Sequence, residues 1–199
     1  MKVIHFSCGQ AANESELKAC AHVKQRLEAE PGNDQWILLS NLAFSVTHQL
    51  QSDEIDLVVI GPPGVRVVEV KHWTAQWADS KRELVRQEAD RVTNKAKKIG
   101  TTLRKGCPSL PRVDGAILLT QEASKVKGLA GQQLFGVWFH SLNDWKTAIQ
   151  FDAPRVLSQN DIKRLAHLLE PKSPVAIDGS LRRLAGYVNL ELQTPKAEQ

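Results

Sequence analysis

Glu54-Ile55-Asp56-Leu57-Val58-Val59-Ile60, Gly61-Pro62-Pro63-Gly64 and Val65-Arg66-Val67-Val68-Glu69-Val70-Lys71 run on without interruption, and this stretch decides the fold. Two apolar, β-branched runs joined by a tight Gly/Pro turn predict a β-hairpin. With Ile60 and Val65 paired beside the turn, Val58 falls opposite Val67 and Asp56 opposite Glu69. Side chains alternate along a strand, so Glu69 and Lys71 point to the same face as Asp56. Two carboxylates directly opposite each other repel, and burying them unpaired is costly. A divalent cation removes that penalty.

An Asp, a Glu and a Lys on one sheet face have a specific chemical use. Carboxylate oxygens at Asp56 and Glu69 suit a hard cation such as Mg²⁺. Such a cation polarises a phosphodiester and lowers the pKa of an attacking water. Lys71 can orient that water or stabilise the developing negative charge, and the Val70 carbonyl is a further candidate ligand. The plain alternative is a solvated strand face with a surface ion pair worth about 0–1 kcal/mol. Glu69-Val70-Lys71 alone favours that alternative; its pairing with Asp56 favours the metal site.

Working outward, Asn13 to Glu30 has helical apolar spacing through Leu17, Cys20, Ala21, Val23 and Leu27, and Pro31-Gly32-Asn33-Asp34 stops it. Trp36 to Val46 is expected to be the first strand, with a polar connection from Thr47 to Asp53. From Lys81 to Lys105 the pattern is helical, with Leu84, Val85, Ala89, Val92, Ala96, Ile99 and Leu103 as its apolar stripe. Val113 to Thr120 and Leu134 to His140 read as strands. Leu142 to Ile149 and Ser158 to Leu169 read as short helices, the second with Ser158 as N-cap. The helix after the hairpin is a crossover that returns the next strand parallel. The expected architecture is α/β, a mixed sheet flanked by helices, rather than a doubly wound nucleotide-binding fold.

A chain of 199 residues is normally one domain. No run of about 18–20 apolar residues is present to cross a bilayer. The opening residues lack a secretory apolar segment, so a cytoplasmic location and no membrane partner are expected. Cys8, Cys20 and Cys107 are too scattered for a disulfide framework or a Cys-x-x-Cys metal pair, and read as free thiols in a reducing compartment. The net charge of +4 permits nucleic-acid binding without arguing for it. The 81–105 helix is more pointed, since Arg91, Lys95 and Lys98 lie among its many cations. Such a face neutralises phosphates or is simply a solvated basic helix, and both readings stand. Trp73 and Trp77 can likewise stack on bases or pack in the core. His72 follows Lys71 and faces away from the carboxylates if the strand continues. The remaining histidines show no ligand spacing.

Asp56, with Glu69-Val70-Lys71 closing the hairpin's second strand, resembles the PD-(D/E)xK motif of restriction-endonuclease-like nucleases. More narrowly, the stretch from Asp53 to Trp73 is similar to the heart of the NERD (nuclease-related domain) family. Asn13-Glu14-Ser15-Glu16-Leu17 resembles that family's Gly-Glu segment, with Glu16 at the acidic position and Ser15 in place of Gly. Ile55 stands where the superfamily name has Pro, and Asn94 and Lys95 stand where many members carry a Gln-bearing motif.

Beyond Glu170, Pro171, Pro174 and Gly179 break up the pattern, so 171–199 reads as a C-terminal extension or linker ending in a disordered tail. The resemblance, over about residues 13–120, implies that 1–170 is a restriction-endonuclease-like domain. It implies hydrolysis of phosphodiesters in nucleic acid, DNA first, with Mg²⁺ or Mn²⁺ as cofactor. Asp56 and Glu69 would be metal ligands, with Lys71 and Glu16 completing the catalytic set. Lys95, Lys98 and Arg91 would contact nucleic acid. The resemblance also raises a fused kinase or helicase domain, a homodimer and a role in phage defence. The alternative is a nucleic-acid-binding or regulatory module of a larger protein that does not cleave. A third reading is an interaction platform with a vestigial site.

Overall fold

The computed structural model describes residues 1–44 and 53–169. The readings made for residues 45–52, and for the extension from Glu170 onward, lie outside the described residues.

The hairpin forms as its sequence requires. Strands β3 (Asp53–Gly61) and β4 (Gly64–Lys71) pair antiparallel with Ile60 opposite Val65, Val58 opposite Val67 and Leu57 opposite Val68. The connection is tight for a packing reason as well as a turn reason. A Cβ on Gly61 would lie 2.2 Å from the Trp36 ring, so only glycine lets the indole rest on this backbone.

Five more strands extend the sheet. In chain order they are β1 (Lys2–Ser7), β2 (Gln35–Phe44), β5 (Asp114–Leu119), β6 (Gln133–Leu134) and β7 (Val137–Ser141). The spatial order is β1-β2-β3-β4-β5-β7-β6. Strand β2 runs antiparallel to β3, and β5 returns parallel to β4 as the crossover predicted. Strand β7 is parallel to β5, while β6 is an antiparallel edge. The strand from Trp36 is not the first, because β1 precedes it in parallel pairing. Its residues are mostly half-buried, so the edge strand lacks the continuous apolar run that marks a central one.

Helices cover both faces. The first, α1 (Glu14–Ala29), packs Ala19, Cys20, Val23 and Leu27 against Leu57, Val59, Val68 and Val70. Its buried stripe begins at Glu16, whereas Leu17 is 59% exposed and does not belong to it. After the short α2 (Ala75–Ser80) comes α3 (Arg82–Arg104), whose Ala96, Ile99 and Leu103 meet Val58, Ile60, Val65 and Val67 on the other face. Leu84, expected in that stripe, points outward at 47% exposure. The helix comes close to the sheet because β5 carries a glycine beneath it: a Cβ on Gly115 would sit 2.3 Å from Val92 Cγ1. The short α4 (Ala123–Val126) follows β5. The segment read as one helix from Leu142 is a 3-10 turn (Leu142–Asp144) followed by α5 (Trp145–Ala148). The last described helix, α6 (Gln159–Leu168), is capped by Ser158, which accepts from the Asp161 amide as expected.

One irregularity bears on the site. Leu39 and Leu42 share a core cluster although they are three apart, and so do Ile55 and Val58. Strict alternation would send the members of each pair to opposite faces. The break centres on Asn41, which is buried at φ 53°, a left-handed conformation that Asn tolerates better than most residues. In the register Ser40–Leu57 and Leu42–Ile55, Asn41 lies opposite Asp56.

Candidate active site

The end of the hairpin away from its turn gathers acids from both sides of the sheet. Just past the last registered pair, Leu57–Val68, the Val70 N–H donates to Asp56 Oδ2 at 2.7 Å. The Asp56 side chain thus takes over an amide at the point where the two strands separate. Glu69 is 2% exposed, and its oxygens are shared between two lysines. Lys95 of α3 donates to Oε1 at 2.8 Å, and the Lys71 ammonium stands 3.8 Å from Oε2. Glu69 and Lys71 therefore face α3, as the alternation predicts.

The electrostatics follow from burial and crowding. Burial pushes the Asp56 carboxyl above its ordinary range, while the Val70 amide and the lysines pull the other way. Glu69 is pushed up to about 7, first by burial and then by the Asp56 charge, against the pull of Lys95 and Lys71. For Lys71, burial works to lower the pKa, but Glu69, Glu88 and Asp56 together hold it above the usual lysine value. Lys71 is thus an ammonium at neutral pH, a donor and positive charge rather than a base.

Glu16 arrives from the opposite face. Its position at the head of the buried α1 stripe leaves it 8% exposed. Oε2 accepts from the Ala12 amide at 2.8 Å and Oε1 from Asn13 Nδ2 at 2.6 Å, while Asn13 caps the helix by accepting from Glu16 N. The carboxylate is held by its own helix start, yet its charge still reaches Asp56 and raises that group's pKa.

The three cations expected to meet nucleic acid differ in setting. Lys95 is drawn inward onto Glu69, with its side chain 16% exposed. Lys98 pairs with Asp53 at 2.5 Å on the rim. Arg91 pairs with Glu88 and remains 67% exposed. Glu88 itself was not among the sequence candidates. It lies 3.2 Å from Lys71 Nζ, and although burial opposes it, Lys71 and Arg91 hold its pKa low. The signal was present in the α3 sequence: Glu88, Arg91 and Lys95 are spaced i, i+3, i+7, one helical face that looks onto β4. Asn94 makes no hydrogen bond to the site residues among the described residues.

Trp73 and Trp77 stack on each other at 4.8 Å and pack against the cluster formed by α3, β5 and β7, the core reading of the pair. His72 lies just past the end of β4 and bonds Thr120 through Nδ1 at 2.9 Å. All three cysteines are buried free thiols. Among the described residues, no helix is long and apolar enough to cross a membrane.

Among the described residues, no three or more His, Cys, Asp or Glu side chains form a ready metal cage. The donors nonetheless suit a hard cation. Asp56 and Glu69 are mostly buried carboxylates whose proximity raises the pKa of Glu69, and Glu16 and Glu88 add further negative charge nearby. Mg²⁺ is commonly held by one or two carboxylates together with substrate phosphate, so a full protein cage is not required.

A mixed sheet with Asp near the start of one strand and Glu-x-Lys at the end of its hairpin partner defines a restriction-endonuclease-like protein of the PD-(D/E)xK kind. The nuclease-related domain family, NERD, matches residues 12–120, more than half of the chain, and the chain belongs to that family. No curated protein matches it.

Proposed function

We propose that this domain hydrolyses phosphodiester bonds in nucleic acid, DNA first, with Mg²⁺ or Mn²⁺ held by Asp56 and Glu69. The observation that carries this reading is the convergence of the half-buried Asp56 carboxylate and the buried Glu69 carboxylate with the Lys71 ammonium at the end of one hairpin. A bound divalent cation supplies Lewis acidity toward the phosphoryl oxygen and lowers the pKa of the attacking water. The chain's own residues do the rest. Asp56 is oriented by the Val70 amide, and Glu69 is fixed by Lys95. Lys71 stays protonated, so it orients the water and offsets negative charge developing on the phosphate. Glu88 keeps the Lys71 head group beside Glu69, and Glu16 deepens the negative potential from the α1 side. Arg91 and Lys98, on the rim, would meet the flanking phosphates once their present partners exchange.

A second reading, nucleic-acid binding without cleavage, has one observation in its favour. Lys95 bonds Glu69 at 2.8 Å and so supplies a positive charge where a metal ion otherwise would. Cleavage separates the two. The parent chain with Mg²⁺ is expected to degrade labelled DNA, and Glu69→Ala and Lys71→Met are each expected to abolish this while the protein still folds by circular dichroism. A parent chain that binds DNA and never cuts it establishes the second reading instead. Buried free thiols support a reducing, cytoplasmic setting. A place in phage defence beside a kinase or helicase domain rests on the family resemblance alone.

A further inference from the structure

A cleft of about 410 Å³ opens at the C-terminal ends of the parallel strands β4, β5 and β7. Its polar lining comes from Lys18, His72, Thr120, Gln121, Glu122, Ser141 and Asn143. In α/β sheets, the crevice outside the carboxyl ends of the strands is where ligands bind. This volume is in the range of a small-molecule site.

The cleft shares strand and helix elements with the acid site. His72 directly follows Lys71, and the Thr120 amide donates to the Lys71 carbonyl at 3.1 Å. Lys18 stands two residues beyond Glu16 on α1. The lining also has the chemistry of nucleotide recognition. With His72 Nδ1 engaged by Thr120, Nε2 is the ring nitrogen left for a ligand. The amides of Gln121 and Asn143 each carry donors and an acceptor, which suits the hydrogen-bonding edge of a base. Lys18 supplies a cation for backbone phosphate, and Glu122 is turned toward Lys125 at 3.8 Å.

We propose that this cleft seats one unpaired nucleotide beside the phosphate presented to Asp56, Glu69 and Lys71, so that the preferred substrate is a single strand. This rests on the phosphodiesterase reading for the neighbouring site. A base inside a duplex shows only its groove edges, and a base that enters a concave pocket has left its partner.

The test is fluorescence anisotropy with the full chain in EDTA, using a short labelled DNA strand and the same strand annealed as a blunt duplex. The single strand is expected to bind more tightly. Asn143→Ala and Gln121→Ala should each weaken its binding about three- to tenfold, the loss of one or two hydrogen bonds. Duplex affinity and the thermal midpoint of both variants should match the parent. Equal or tighter binding of the duplex overturns the proposal, as does single-strand binding that neither substitution changes. Binding is read without metal or turnover, which keeps the two readings apart. A chain that holds the single strand through Asn143 but cuts nothing in Mg²⁺ overturns hydrolysis and leaves the cleft standing. A chain that cuts duplex DNA, with Asn143→Ala as fast as the parent, overturns the cleft and leaves hydrolysis standing.

Discussion

Glu69 is where the costs of this site concentrate, because a nearly fully buried carboxyl sits beside the Asp56 charge. Its folded pKa of about 7 lies above the ordinary glutamate value, so the fold favours the protonated form. The sign follows from linkage. Its contribution is fully present below the ordinary glutamate pKa and is lost as pH rises through about 7. His140 has the opposite sign. Buried and held down to about 4, chiefly by burial and then by Arg66, it withdraws stability as pH falls from its ordinary value through about 4. The Glu69 effect is therefore read as a difference between proteins. In EDTA, the thermal midpoint of the parent relative to Glu69→Gln should decline between pH 5 and 8. Parallel pH curves for the two would refute the assignment. Glu88 holds the Lys71 ammonium at 3.2 Å, which on the proposed hydrolysis makes it a positioning residue. Glu88→Gln should lower kcat about tenfold, the lower end for supporting residues around a site. KM and the thermal midpoint should stay close to the parent values, as measured by steady-state cleavage and by calorimetry.

At the scale of elements, the hairpin and α3 are the parts whose placement cannot slip. Trp36 is 2% exposed and stacks on Phe151 at 5.6 Å, so it has little room to move away from Gly61. Gly61→Ala introduces a methyl group into that contact and should destabilise the protein by about 1–3 kcal/mol, the usual cost of overpacking. Chemical denaturation should show this as a lower midpoint with an unchanged slope. A variant as stable as the parent would mean that the indole shifts freely. Helix α3 carries Glu88 and Lys95 to the site because its apolar stripe docks over Gly115 and β4. The same helix that covers the core supplies two of the charges around Lys71 and Glu69.

Across the whole molecule, the site draws on layers from both faces of the sheet. Glu16 comes from α1 on one side and Lys95 from α3 on the other, around the strand ends of β3 and β4. A divalent cation held by Asp56 and Glu69, as proposed, would stabilise the native state by mass action. With the cation at about a hundredfold excess over its Kd, the gain is about 2.7 kcal/mol. For a chain of this size that is a rise of roughly 5–10 °C. Scanning calorimetry at pH 8 should show this rise with Mg²⁺ or Mn²⁺. EDTA should reverse it, and Asp56→Asn combined with Glu69→Gln should lose it. An unchanged midpoint in the parent across millimolar cation would argue against a metal site.

Local chemistry made much of this legible in the sequence. The hairpin register, the face shared by Glu69 and Lys71, the crossover to a parallel β5 and the Ser158 cap all depend on alternation, turn residues and capping, which act over a few residues. Edge strand β1 escaped because half-burial leaves no continuous apolar pattern. Leu17 and Leu84 fit the helical period and still face outward, since helical rotation against the sheet is chosen by packing partners far away in sequence. The same holds at the site. The sequence by itself determined that an Asp, a Glu and a Lys share one end of a hairpin. Only the tertiary structure decided that Lys95 turns inward to Glu69, that Glu88 holds Lys71, and that a polar cleft opens at the C-terminal ends of β4, β5 and β7. Those contacts join residues on separate elements, and their geometry exists only once burial has set the helices against the sheet.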